Sequence, residues 1–260
     1  MISYRENALA LIVPVANKEH EKLLLSSLLP VLAQTRNLNV FIVQNYTEDL
    51  DPTVRDAIFL YTNKYHLHKI IRVVCPKETS LGKMFGHVLN RPDVRAADYI
   101  WKFDCDIFVP FGVLKEIQEF VFEKERTITL MFNMFDVKPI TKGQSVFPLD
   151  KIMDKEPMFY QYKPTKFYTQ MMMLNGQNEK KPVSAGTFIF PSFRINEPLL
   201  EELNAMPKGQ RGTDNLILSH MRDRSWLYPA NVHHLGCIFY EKTDYENGGD
   251  YINDTWKKGY

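Results

Sequence analysis

The chain has 260 residues, of which 45% are hydrophobic and 24% are charged. This composition is typical of a soluble globular protein and excludes a disordered or fibrous one, and the length suffices for one compact α/β body. The formal net charge of +1 gives no bulk attraction to nucleic acid or to an anionic membrane. An anionic ligand would have to be bound by local groups.

The three cysteines are far apart and have no CxxC spacing, which argues against a disulfide framework or a structural zinc site. A reducing, cytoplasmic setting is therefore expected. The apolar run "ALALIVPVA" near the N-terminus is too short for a membrane span and has no basic segment before it. We interpret it as a buried strand and expect no transmembrane segment.

Buried strands and amphipathic helices are predicted to alternate through the first half of the chain. The predicted strands are "ALALIVPVA", "NVFIVQN", "KIIRVVC" and "DYIWKFDCD". The helices between them are "KEHEKLLLSSLLPVLAQT", with a kink at Pro30, then "DPTVRDAIFLYTNKY" and "SLGKMFGHVLN". This alternation predicts βαβ units and a mostly parallel, Rossmann-like, doubly wound sheet flanked by helices.

The second half is less regular. A helix "FGVLKEIQEFVFEKE" and a strand "TITLMFNM" precede a long irregular stretch from about residue 136 to 182, a length typical of a functional loop or a disordered one. Two further strands, "SAGTFIFPSF" and "RSWLYPANVHHLG", enclose a helix "TDNLILSHMRD". We expect one domain over residues 1–260 with a soft boundary near residue 110.

An Asp-Cys-Asp triplet ends the fourth predicted strand. Asp104 and Asp106 would point to the same side of that strand, and like charges so close raise each other's pKa unless a cation lies between them. Carboxylates completed by water and phosphate are what Mg²⁺ or Mn²⁺ takes. Two turn or helix-capping aspartates before Pro110 would give the same pattern, so the triplet alone decides nothing.

Three more polar residues in the second half admit two interpretations each. His233 and His234 follow a strand-like run, so at most one of them can face a given metal; a structural pair is the alternative. Asp214 stands where a helix would begin. One interpretation is a helix N-cap, a role that Thr213 could also fill. The other is a general base at the mouth of a crevice.

In order along the chain, these segments resemble the GT-A glycosyltransferases, most closely the inverting family-2 type. "VPVANKEHEKLLLSSLLPVLAQT" is similar to the opening strand and helix of that family, and "YIWKFDCDIFVP" is similar to its D-x-D segment. "FIVQNYTED" and "SLGKMFGHVLN" stand at the intervening motifs. The resemblance covers about the first 115 residues and, more loosely, "SAGTFIF", "GTDNLIL" and "VHHLG".

The resemblance implies a fold, a reaction and site residues. About residues 1–110 would bind the nucleotide sugar, and about 111–260 would bind the acceptor, with the C-terminal segment as a lid. The residues assigned to the nucleotide sugar are Pro14, Ala16, Gln44, Asn45, Gly82, Lys83 and Asp104. Asp106 and His234, with Asp104 as a further candidate, would hold Mn²⁺ or Mg²⁺, and Asp214 would be the base.

The implied reaction is metal-assisted displacement at the anomeric carbon of a nucleotide-diphosphate sugar, a UDP-sugar foremost, with inversion. The sequence departs from the family at four positions: Gln44 and Asn45 replace two acids, Ser80 replaces Asn, and Thr213 replaces a Glu. Without the two acids at positions 44 and 45, the usual carboxylate contact to the nucleobase is lost. The identity of the nucleotide is therefore undecided.

Two other functions fit the same segments. One is a sugar-phosphate nucleotidyltransferase, although "PVANKEHEK" lacks the expected Gly-rich loop. The other is a non-catalytic module that binds a nucleotide or a glycan. The acceptor is also open among a glycan, a lipid-linked glycan, a protein and a modified nucleic acid. Residues 137–211 hold 11 basic and seven acidic residues with interleaved aromatics, which suits an acceptor platform or a solvated loop.

Overall fold

The computed structural model describes residues 1–16, 18–77, 79–123, 129–139, 160–164, 187–208, 212–221 and 225–234. The irregular stretch and the C-terminal segment predicted as a lid lie mostly or wholly outside these ranges. The strands up to residue 108 are β1 (Ile2–Ser3), β2 (Leu9–Val15), β3 (Thr35–Arg36), β4 (Asn39–Gln44), β5 (Lys69–Val74), β6 (Tyr99–Phe103) and β7 (Ile107–Phe108). The α-helices among them are α1 (Lys18–Glu21), α2 (Leu28–Gln34), α3 (Pro52–Phe59), α4 (Leu81–Leu89) and α5 (Pro92–Arg95).

The remaining described elements begin with α6 (Phe111–Glu123) and β8 (Thr129–Pro139). They continue with β9 (Tyr160–Pro164), β10 (Thr187–Pro191), α7 (Glu197–Ala205), α8 (Thr213–Ser219) and β11 (Ser225–His234). Short 3₁₀ turns occupy Lys22–Leu25, Leu60–Thr62 and Ser192–Arg194.

Nine of the described strands form one sheet in the spatial order β5-β4-β2-β6-β10-β8-β11-β7, with β9 paired to β8. The strands from β5 to β6 are mutually parallel. Beyond them, β10 runs antiparallel between β6 and β8, and β11 is parallel to β8. The predicted α/β class with a mostly parallel central sheet is confirmed.

Both faces of the sheet are covered, because successive side chains of each strand enter opposite cores. In β6, Tyr99, Trp101 and Phe103 join the core under α2, α3 and α6. Ile100 faces the other core, under α4, α7 and α8. Lys102 follows Ile100 by two and therefore lies on that second face.

The first predicted helix is broken in the structure, and the break is not at Pro30. Two serines interrupt it between the 3₁₀ turn and α2, and the Ser27 hydroxyl donates to the Leu23 carbonyl over 2.9 Å. Such local hydroxyl bonds compete with the helical ladder. Pro30 lies in the first turn of α2, where the missing N–H has no intrahelical partner to lose. The predicted kink is therefore wrong.

Gly82 of α4 packs closely against the end of α7 and the residue that follows it. A Cβ built there would lie 2.7 Å from the Met206 Cβ and 2.9 Å from the Leu203 carbonyl oxygen. Neither atom is the free end of a side chain. Gly82 is thus required by backbone packing.

We predict that Gly82→Ala lowers the free energy of unfolding by about 1–3 kcal/mol, since overpacking outweighs the better helix propensity of alanine. Gly86→Ala on the same helix is the matched control. Its Cβ would meet the Asn204 side chain at 2.5 Å, and this exposed side chain can turn away. Urea unfolding of both variants checks the prediction; equal stability of the two would contradict it.

The sequence predicts no transmembrane segment. Within the ranges that the structure describes, no helix combines the length and the apolar character needed to cross a bilayer.

Candidate functional site

Four parallel strands end at one edge of the sheet, where open α/β folds bind ligands. Val15 of β2 is in register with Gln44 of β4, which is in register with Val74 of β5. Pro14 lies inside β2, and Ala16, Gln44 and Asn45 follow at the edge, all of them buried. The pairing between β2 and β6 stops at Ile12 and Lys102, so β2 extends beyond its pairing with β6 at this edge. The four predicted nucleoside-pocket residues are thus brought together.

The segment after β4 is held in place by Arg72 of β5. Its guanidinium donates to the Gln44 side-chain oxygen, to the Asp49 carboxylate and to the carbonyls of Thr47 and Glu48, the last two over 3.0 and 2.6 Å. Gln44 is therefore oriented by an arginine rather than by a ligand-facing acid. The Gln44 side chain is fully buried beside this arginine.

A buried carboxylate supports the same segment from the other side. Glu21 is fully buried and accepts hydrogen bonds from the Tyr46 hydroxyl and the Asp51 amide, both over 2.6 Å. The Lys18 ammonium lies 3.0 Å from it. Burial, reinforced by the bond to Glu21, raises the pKa of Tyr46 well above its usual value. Tyr46 is therefore a protonated donor at neutral pH.

At the start of α4, Ser80 and Gly82 are buried against neighbouring residues rather than exposed to the crevice. Ser80 is its N-cap: the hydroxyl accepts from the Lys83 amide over 3.2 Å and donates to the Met206 carbonyl over 2.8 Å. Gly82 is buried against α7, while Lys83 is exposed. Of the two residues predicted to lie near the donor, Gly82 has a packing function that the sequence did not reveal.

The Asp-Cys-Asp triplet forms a turn. β6 ends at Phe103, and the Ile107 amide donates to the Asp104 carbonyl over 3.1 Å. The expectation that Asp104 and Asp106 belong to the strand is wrong, because β6 ends before them and the chain reverses here to enter β7. Their carboxylates nevertheless interact electrostatically. Cys105 is buried, and burial raises the pKa of its thiol well above the usual range, so it packs as an inert side chain.

A lysine of the chain joins the first aspartate of the triplet to Asp214. The Lys102 ammonium lies 2.6 Å from Asp104 Oδ1 and 2.8 Å from Asp214 Oδ1. Its side chain is 0% exposed, whereas those of Asp104 and Asp214 are 21% and 13% exposed. The lysine is thus sealed beneath two carboxylates that reach the crevice.

The charge states of this cluster follow from burial and pairing. Burial opposes the charge of Lys102, but the carboxylates of Asp104 and Asp214 outweigh it and raise the pKa above its usual value. Burial raises the pKa of Asp104 to about 7; the Lys102 ammonium opposes this shift, and the carboxylates of Asp214 and Asp106 add to it. Lys102 is paired with Asp104 and Asp214, and Asp106 adds a further carboxylate that interacts with Asp104, an arrangement of like charges that favours a cation.

Asp214 is not the N-cap of its helix. The N-cap of α8 is Gly212, whose φ of +99° is in the left-handed region that favours glycine. Asp214 therefore lies in the first turn with its side chain directed to Lys102. The interpretation of Asp214 or Thr213 as a capping residue is wrong.

The histidine pair reaches this end of the molecule through the backbone of β11. His233 is in register with Phe108, and His234 with Ile107, the residue after Asp106. The side chains of both histidines lie outside the described part of the structure, so their orientation stays a prediction. Among the side chains described, no cluster of three metal-ligating groups occurs. The carboxylates of Asp104 and Asp106, with an imidazole from this histidine pair, would supply oxygen and nitrogen ligands of the types that Mn²⁺ or Mg²⁺ accepts.

Sequence reasoning missed Lys102 and Arg72. Lys102 had a signal: a lysine inside the apolar run "YIWKF" must be neutralised by partners if that strand is buried. Arg72 likewise interrupts the apolar run "KIIRVVC". In both cases the partner residues come from distant parts of the chain. The pattern therefore predicts that a buried charge must be paired but does not predict which residues pair with it.

No family model and no curated protein matches the chain. Among solved structures, residues 1–349 of TarS from S. aureus superpose with a TM-score of 0.53 at 17% identity, over 90% of this chain and 62% of that one. The same protein in complex with UDP gives a TM-score of 0.52 at 15% identity, with the same 90% and 62% coverage.

A mannosyltransferase of Pyrobaculum calidifontis, PcManGT, in complex with GDP-Man and Mn²⁺, gives a TM-score of 0.52 at 14% identity over 90% of this chain and 58% of that one. The chain thus spans less than two thirds of the length of each of these structures. The arrangement of strands and helices common to them identifies the architecture: the chain has the GT-A glycosyltransferase fold.

Proposed function

We propose that the protein transfers a sugar from a nucleotide-diphosphate sugar to an acceptor hydroxyl. The observation that carries this proposal is the cluster at the end of β6, where Asp104 and Asp214 share a buried lysine beside Asp106. It lies at the strand-end edge where α/β sheets bind nucleotides. The fold supports the same reaction class, since the superposed TarS and PcManGT structures hold UDP and GDP-Man.

Asp214 is the proposed base. A general base must be ionised near neutral pH and exposed to the substrate. The Lys102 ammonium lies 2.8 Å from Asp214 Oδ1, and the 13% exposure of the Asp214 side chain leaves it accessible from the crevice. Asp214 would take the proton of the acceptor hydroxyl as its oxygen attacks the anomeric carbon, and a single displacement inverts that centre.

Asp106 and His234 are the proposed metal ligands. Asp104 Oδ1 is already bonded to Lys102, which favours Asp106 over Asp104 for direct ligation. A bound Mn²⁺ or Mg²⁺ would supply Lewis-acid neutralisation of the diphosphate leaving group. Asp104 would then position the ribose or the cation from the side of β6.

The nucleoside is proposed to lie between the ends of β2 and β4, against Gln44, Asn45 and Ala16. A UDP-sugar is the first candidate donor and a GDP-sugar the second, on the likeness to TarS with UDP and to PcManGT with GDP-Man and Mn²⁺. The Arg72 contacts to Gln44 and the following segment would fix the floor of this pocket.

We predict that Arg72→Ala weakens nucleotide binding about five- to thirtyfold, because one or two hydrogen bonds worth about 1 kcal/mol each would no longer order the pocket. Arg55→Ala, which removes an exposed ion pair with Asp56 on α3, is the control and should bind normally. Calorimetric titration with UDP or GDP in the presence of Mn²⁺ measures both. Unchanged affinity in Arg72→Ala would remove the pocket from this edge.

The reaction class is tested by incubating the protein with Mn²⁺ and a panel of UDP- and GDP-sugars. A glycosyltransferase releases the nucleoside diphosphate and the free sugar slowly, since water replaces the acceptor. When pyrophosphate is added, a nucleotidyltransferase instead yields the nucleoside triphosphate and a sugar phosphate from the same donor, and a binding module binds the nucleotide without turnover. Either of the last two outcomes would overturn the proposal.

A further inference from the structure

Lys102 is fully buried, at a position in the hydrophobic core of the sheet. Its register neighbours on either side are Ile12 of β2 and Phe188 of β10, both fully buried. An apolar side chain would fill this place without the cost of taking an ammonium out of water. A lysine here needs a reason other than packing.

Its two partners come from opposite halves of the site. Asp104 belongs to the turn after β6, on the sheet, whereas Asp214 belongs to the first turn of α8, a helix on the face of the sheet. An ammonium carries three N–H donors. One of them donates to Asp104 over 2.6 Å, and the same ammonium lies 2.8 Å from Asp214 Oδ1 as an ion pair, so the Lys102 Nζ atom contacts both carboxylates.

The start of α8 has few other described attachments. Gly212 supplies no side-chain cap, and the Thr213 hydroxyl makes only a 3.8 Å contact to the Met206 sulfur. The helix is held further along by Ile217 and Leu218 in the core. Thr213 is buried as well, so the ion pair adds a charged attachment to the packing of this first turn, which carries the proposed base.

We infer that Lys102 is a positioning residue, which fixes Asp214 against the donor side of the site by bonding Asp214 and Asp104 at once. The effect of Lys102 on turnover rests on the proposed function. The link from Asp104 through Lys102 to Asp214, called the tie below, does not. Lys102 is sealed from the crevice and acts only through the two carboxylates. Its removal should therefore displace the base more than it weakens donor binding.

The tie is tested without any substrate, by hydrogen–deuterium exchange of α8. In Lys102→Met, the amides of α8 should exchange at least tenfold faster than in the wild type, while Lys102→Arg, which still pairs with carboxylates, keeps most of the protection. Ile100→Ala, a cavity on the same strand and face, is the matched control for general destabilisation. Exchange of α8 in Lys102→Met no faster than in Ile100→Ala would overturn the inference.

Turnover gives the second readout, with whichever UDP- or GDP-sugar the wild type hydrolyses in the presence of Mn²⁺. Lys102→Met should lower kcat about 100-fold with the donor KM changed less than threefold, and Lys102→Arg should recover at least a tenth of the wild-type kcat. Parallel changes of kcat and KM, as in Ile100→Ala, would mean a structural role only. If the wild type hydrolyses no donor, the proposed function fails, and the exchange result still decides the tie.

Should Lys102→Met fail to fold, the double variant Lys102→Met/Asp214→Asn removes one carboxylate together with the ammonium. It should fold, and fast exchange of α8 in it supports the tie. Wild-type protection of α8 in the double variant would overturn it.

Discussion

Replacing Asp214 with asparagine is expected to lower the rate of sugar transfer by about 10²- to 10⁴-fold, the usual contribution of a general base. The amide cannot take the acceptor proton, yet it keeps the size and the polar contact of the carboxylate. Donor affinity should stay within about threefold of the wild type, since the proposed nucleotide contacts come from β2, β4 and β6. Steady-state rates and nucleotide titration of the same preparation measure the two quantities.

Asn215→Ala, at the next, exposed position of α8, is the matched control and should transfer sugar normally. Thermal melting must accompany the rates, because removing one partner of a buried ion pair costs stability; Lys102 keeps Asp104 as its second partner. Wild-type turnover in Asp214→Asn would remove this residue from the mechanism.

Asp106→Ala is expected to remove the stimulation of turnover by Mn²⁺, a loss of about 100-fold or more. In the wild type, a chelator should abolish activity and added Mn²⁺ should restore it. The variant should show the chelated rate at every Mn²⁺ concentration, because the proposed ligand set loses its carboxylate. Initial rates across a Mn²⁺ series measure the effect.

Asp93→Ala, which removes an exposed carboxylate paired with Arg91, controls for the loss of one acidic group and should respond to Mn²⁺ like the wild type. A normal Mn²⁺ response in Asp106→Ala would move the cation to other groups. Asp104 would then be the next candidate, at the expense of its bond to Lys102.

The parallel half of the fold was predictable because its strands are buried on both faces and read as continuous apolar runs. The predicted strands near residues 9, 39, 69 and 99 all exist and pair in parallel. The helix α7 was not anticipated, although Asn196 caps it by accepting from the Leu199 amide over 2.9 Å. Its buried residues are three leucines, Leu199, Leu200 and Leu203, at helical spacing, a short pattern whose packing partner α4 lies far away in sequence.

The location of the site was predictable from the sequence, but the contacts between its side chains were not. Strand ends of a parallel sheet meet at one edge, so Gln44 and Asp104 were expected to lie near each other from the strand order alone. What joins Asp104 to Asp214 depends on how α8 packs on the sheet, which no local pattern specifies. The positive partner expected beside the triplet was a metal ion, whereas the structure supplies Lys102 for Asp104 and leaves Asp106 as the proposed metal ligand.

The most direct test of nucleotide-sugar transfer is to identify the bond that breaks. The protein would be incubated with Mn²⁺ and its hydrolysed nucleotide sugar in water enriched in heavy oxygen, and the products analysed by mass spectrometry. Attack at the anomeric carbon, as proposed, puts the label in the free sugar and none in the nucleoside diphosphate. Label in a phosphate would contradict sugar transfer and assign the cleavage to the diphosphate instead.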